Sequence, residues 1–126
     1  MMSELAKPQP VVTPGPDGVL VAFSNAPDAQ TAQRIADARV EEGLAACVNL
    51  LAPCHSVYRW QGAVERAQEV PMLIKTSRRR FAALSRRLAE LHPYEVPELI
   101  AIAPDAASAA YADWVLRETR PKRPGS

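Results

Sequence analysis

The chain has 126 residues, 48% of them hydrophobic, and carries 15 Lys+Arg against 14 Asp+Glu. A single domain of this length removes about two-thirds of its unfolded surface from water, so its core needs no metal or disulfide staple, and a formal charge of +1 gives no broad basic field for nucleic acid or an anionic membrane. No run approaches the ~18 apolar residues of a membrane span, no signal-peptide pattern opens the chain, and Cys47 and Cys54 lack the spacing of a disulfide framework or zinc site, so the expectation is a cytoplasmic protein with reduced thiols.

Four of the 12 prolines (Pro8, Pro10, Pro14 and Pro16) fall within residues 1–18 with little apolar residue between them, a composition expected of a disordered tail. Residues 119–126, Pro-broken and basic, read as a second flexible tail, which leaves 19–118 as the folded domain. Val19-Leu-Val-Ala-Phe23 is a short apolar run between turn residues, the signature of a strand buried on both faces. Asp28 is placed to cap a helix whose apolar positions Ala32, Ile35, Ala36, Val40 and Leu44 share one face and which stops near Gly43.

From Ala45 to Trp60 the pattern alternates, Gln61-Gly62 makes a two-residue turn, and a second extended run lasts to Thr76. Pro53 and Pro71 mark bulges, edges or places where this hairpin passes from one sheet to another, since neither can donate to a ladder. An arm of ~15 residues spans ~50 Å, more than a domain of this size is wide, so part of it must fold over or pair elsewhere. Ser77 is then expected to cap a helix with Phe81, Leu84, Leu88 and Leu91 in one stripe, ended by His92-Pro93. Val96–Ile102 reads as a fourth strand, and Asp105 as the start of a last helix carrying Tyr111, Trp114, Val115 and Leu116. The order βαββαβ plus a C-terminal helix is the α+β, ferredoxin-like plan, with an extended hairpin and two helices on one face of an antiparallel sheet. The other face needs a cover, which further copies of the chain would supply.

Ala45-Ala-Cys-Val-Asn49, Tyr58-Arg-Trp-Gln-Gly62 with Glu65 and Glu69 beyond it, Ile74-Lys-Thr76 and His92-Pro-Tyr-Glu-Val-Pro97 together resemble the CutA family of divalent-cation tolerance proteins, from about Val21 to about Trp114. The resemblance implies a cytoplasmic, PII-like homotrimer that binds copper(II) or another divalent cation and catalyses no established reaction. By position, Cys47 and His92 match the family's metal candidates, and Trp60, Glu65, Lys75 and Tyr94 match residues lining a cleft between subunits. Ser24 stands where some relatives carry a cysteine, and Cys54 has no counterpart, so it receives no role.

Each of these residues also has a plainer reading. Cys47 in an alternating apolar strand is a small buried hydrophobe as readily as a soft ligand. His92 can cap a helix C-terminus as a cation. Glu65 and Glu69 share a strand face unless a bulge intervenes, and serve equally as exposed edge charges. Lys75, close to a helix start, suits an anionic ligand, which opens the alternative of a PII-like regulator holding a small anion between subunits. Arg78, Arg79 and Arg80 fan over about 200° of a helix and read as solvated surface, not a nucleic-acid patch. A Cys47–His92 hydrolase would lack a third group to orient its base.

Overall fold

The structure, a computed structural model, describes residues 11–12 and 17–121. Strand β1 (Val11–Val12) precedes β2 (Val19–Ala26), helix α1 (Ala29–Glu41), β3 (Cys47–Leu50), β4 (Cys54–Trp60), β5 (Ala63–Ser77), a 3-10 turn at Arg78–Arg80, α2 (Phe81–Leu91), β6 (Ile100–Ile102), β7 (Ala107–Ser108) and α3 (Ala109–Glu118). The main sheet runs β3-β5-β2-β6, every pair antiparallel, which is the strand order of the ferredoxin-like plan.

Helix α1 starts where expected because the Asp28 carboxylate accepts the Thr31 N–H at 2.7 Å. It stops at Glu41, two residues before Gly43, which takes a left-handed φ of 71° while the Leu44 N–H turns back to the Arg39 carbonyl. Ala32 and Ile35 of α1 and Leu84 and Leu88 of α2 pack on Ala22, Ala26, Val70, Met72 and Ile74, the even-numbered face of β2 and β5. Helix α3 packs Ala112 and Val115 on Val19 and Ala46, so Val19 faces away from that core, as the two-residue period of β2 requires.

The long hairpin solves its length by changing partners. Residues Val70–Ser77 of β5 pair with β2; along its other edge β5 pairs with β3 through Met72–Lys75 and with β4 through Ala63–Glu69. Pro71 stands where that edge passes from β3 to β4, so its missing N–H interrupts no ladder, while its carbonyl accepts the Leu51 N–H at 2.9 Å. The outer half, β4 with residues 63–69, is an arm beyond the sheet.

The structure departs from several expectations. Ser77 makes no side-chain cap; the first N–H of the following turn, from Arg78, goes to the Gly18 carbonyl, and α2 begins only at Phe81. The fourth strand shrinks to Ile100–Ile102, because Pro97 has no N–H and the Glu98 carbonyl is taken by the Ser24 hydroxyl at 2.6 Å. The last helix begins at Ala109, after Ala107–Ser108 have paired with Val11–Val12, so the segment expected as an N-terminal tail contributes a strand. At the other end Thr119 is buried, its hydroxyl bonded to the Val115 carbonyl; the rest of the two expected tails, residues 1–10, 13–16 and 122–126, lies outside the described residues.

Candidate functional sites on the sheet face and in the hairpin cleft

Sheet register places Cys47 of β3, Lys75 of β5, Val21 of β2 and Ile102 of β6 in one row across the face opposite α1 and α2. Asn49, Leu73, Phe23 and Ile100 make the next row. The Lys75 ammonium donates to the Asn49 side-chain oxygen, and the Cys47 thiol donates to that same oxygen at 3.8 Å. Both side chains are half-buried, and the thiol is unpaired. Tyr111 of α3 stands beside this corner, its phenol held above the usual range by burial and then by the nearness of Cys47. Further along, Ile100 and Ile102 are 60% and 56% exposed, so α3 covers only part of the face.

The second site is a cleft of about 580 Å³ between the hairpin arm and the loop that follows α2. The arm supplies Tyr58, Trp60 and Glu69; the loop supplies Tyr94, Glu95 and Glu98; Asn25 closes the end of β2. His92 ends α2 by donating its backbone N–H to the Leu88 carbonyl at 2.8 Å. Its buried ring receives the Tyr94 N–H on Nδ1 at 3.1 Å, which leaves the proton on Nε2 to be donated to the Asn25 carbonyl at 2.5 Å. Both ring nitrogens are therefore occupied, and the ring braces the loop against β2. Tyr94 packs on this ring with centroids 4.6 Å apart and donates its hydroxyl to Glu69 Oε2 at 3.0 Å. Burial, and then the bond to Glu69, push its phenol up to about 12.

Trp60 and Tyr94 line this cleft together, whereas Lys75 and Glu65 do not join them within one chain. Glu65 is exposed on the arm opposite Tyr58, and Lys75 belongs to the sheet face. Cys47 and His92 are also separated: Cys47 aligns with Val21, whereas His92 bonds at Asn25, four residues and ~13 Å further along β2. They form neither a catalytic dyad nor a shared metal site in one chain. Among the described residues, no three His, Cys, Asp or Glu side chains are grouped to hold a metal ion.

Glu69 is the residue that sequence reasoning misjudged. Its alternation with Glu65 is intact because β5 has no bulge, yet it is only 7% exposed, covered by a loop 25 residues away. Asn25 and Glu98 were missed as well; their side chains bond each other at 3.0 Å across 73 residues of sequence, with no local pattern to announce it.

Comparison with known proteins agrees with these elements. The family model of the CutA1 divalent ion tolerance protein matches residues 20–118. The divalent-cation tolerance protein CutA of Thermus thermophilus is 42% identical over 99 residues, 79% of this chain and 96% of that protein. Human protein CutA is 41% identical over 104 residues, 82% of this chain but 58% of its own length. The structure of CutA from Synechococcus elongatus superposes with a TM-score of 0.79 at 36% identity, covering 87% of this chain and 96% of that one.

Proposed function

The chain belongs to the CutA1 divalent ion tolerance family, and on that premise we propose that it acts in the response to metal ions as a cytoplasmic homotrimer that binds copper(II) or a related divalent cation at a site shared between copies. The observation that carries this reading is the position of Cys47. Its thiol, a soft donor suited to copper or zinc, lies on the sheet face that α1 and α2 leave open, beside exposed apolar residues that need a cover. One chain offers too few grouped donors for a closed site, so several copies meeting over this face supply the remainder. His92, the other candidate ligand, would have to give up one of its two ring hydrogen bonds to coordinate, which makes Cys47 the stronger donor.

A regulator that holds a small anion in the cleft, the other reading, draws no support from the cleft of a single chain, where Glu69, Glu95 and Glu98 are present and Lys75 is not. An anion there would rely on a lysine from another copy.

Calorimetric titration with copper(II) tests the proposal. Wild type should bind with a dissociation constant of about 1–10 µM, and Cys47→Ser should weaken binding at least ~30-fold. Binding weaker than ~100 µM in wild type, or equal binding by both proteins, would overturn it.

A further inference from the structure

We propose that Glu42 is an acid-sensitive latch, which ties the end of α1 to α2 and, when protonated, releases the turn that enters β3. The latch lies among the two helices, away from the open sheet face and the hairpin cleft, and it stands whether or not the chain binds a metal.

Its core is a guanidinium enclosed by the fold. Arg39 shares the inner face of α1 with Ala32, Ile35 and Ala36, so the packing of that face on the sheet takes the arginine inside with them. The side chain is 0% exposed, and its three guanidinium nitrogens have no hydrogen-bond partner among the described residues. What neutralises it is an ion pair from Nη2 to Glu42 Oε1 at 3.1 Å. A buried cation that loses its counter-ion is strongly destabilising, far more so than an exposed one.

Glu42 follows α1 directly and holds a second arginine as well. Its Oε2 accepts Nη2 of Arg87 on α2 at 2.8 Å, and its Oε1 accepts Arg87 Nε at 3.4 Å. Arg87 also pairs with Glu90, three residues on along α2. Two cations and two carboxylates thus balance, and Glu42 is the carboxylate that touches both arginines. Beneath them the strands present Ala22, Val48, Ile74 and Thr76 to the helices, none of which titrates. At the neighbouring end of α3 the Glu118 carbonyl lies against Gly43, while the Arg117 and Glu118 side chains are exposed and pair with each other. Glu41, beside Glu42, is exposed.

Glu42 is itself 32% exposed, so a proton can reach it without prior unfolding. Once neutral, it would leave Arg39 buried without a counter-ion and close to a second cation. The Arg39 side chain must then move out to water, and its backbone moves with it. The Arg39 carbonyl accepts the N–H groups of Leu44 and Ala45 at 3.0 and 3.3 Å, the bonds that fold the chain from α1 into β3. The hydrogen bond from Arg87, and then the charges of Arg39 and Arg87, hold the Glu42 carboxyl below the ordinary glutamate value of 4.5. The sign follows: the latch is fully closed above that value and opens as pH falls below it.

The test follows amide hydrogen exchange of the full chain from pH 7 to pH 3, each rate divided by the intrinsic rate at that pH. Protection of the Leu44 and Ala45 amides should fall about tenfold or more below pH 4, ahead of that of Ala22 and Ile74 in the core. Arg39→Met, which replaces the buried charge with an apolar chain, should keep Leu44 and Ala45 equally protected over this range. Glu42→Gln should lower their protection about tenfold already at pH 7, where acid unfolding plays no part, and adding Arg39→Met to it should restore them. A Glu42→Gln chain that folds only when Arg39→Met is present would support the latch equally. An acid loss of protection unchanged in Arg39→Met, or full protection in Glu42→Gln at pH 7, would each overturn the proposal.

Discussion

Tyr94 shows how one side chain joins loop, arm and cleft. Its backbone N–H holds the His92 ring, its own ring packs on that imidazole, and its hydroxyl caps Glu69. Burial disfavours the phenolate, so the folded-state pKa lies at about 12, above the ordinary value near 10. The sign follows: the neutral phenol stabilises the fold fully below about pH 10, and that contribution is lost as pH rises through about 12. A tyrosinate absorbance titration of wild type should therefore contain a step near pH 12, and Tyr94→Phe should remove it. The same substitution should lower unfolding stability by about 1 kcal/mol, since Glu69 loses its donor in a buried place. A titration unchanged by Tyr94→Phe would mean that the phenol is not in contact with Glu69.

The elements that local chemistry defines follow their sequence signals closely. Asp28 caps α1, Gly43 stands just past its end, and Gln61-Gly62 turn the long hairpin with φ values of 49° and 84°. Those two positive values are the demand of a two-residue turn that matches strand twist, and glutamine meets it poorly. Gln61→Asn should raise stability by about 0.5 kcal/mol, and Gly62→Ala should lower it by about 1 kcal/mol, both read from urea unfolding. No atom lies within 4 Å of a Cβ built at Gly62, so the second effect is purely one of backbone conformation. If Gly62→Ala left stability unchanged, the arm would not depend on this turn.

Elements set by distant contacts were the ones that sequence reasoning misplaced. Val96–Leu99 has the composition of a strand, but Ser24 and Asn25 bond Glu98 and hold that segment out of the ladder. Val11–Val12 became a strand only because Ala107–Ser108 offered an edge. The candidate sites divide in the same way. Trp60 and Tyr94 were singled out through the resemblance of whole motifs, whereas the burial of Glu69 and the ~13 Å between Cys47 and the His92 contact depend on sheet register, which alternation along a single strand does not specify.

For the whole molecule, the unfinished feature is the second face of the sheet. Helices α1 and α2 seal one side, α3 covers one end of the other, and Phe23, Ile100 and Ile102 are left exposed around Cys47 and Lys75. The arm likewise carries exposed Val57 and Val64. Copies of the chain packed over these surfaces would cover both and bring their Cys47 thiols into a common assembly. Among the described residues no helix is long and apolar enough to cross a membrane.

Native mass spectrometry of the protein with copper(II) reads assembly and metal together, and is the most direct measurement. The predicted spectrum of wild type is the mass of three 13.7 kDa chains with copper bound; Cys47→Ser should give the same assembly without copper, and Ile100→Glu should give single chains. A wild-type spectrum of single chains, or copper retained in full by Cys47→Ser, would contradict a shared site on the open sheet face.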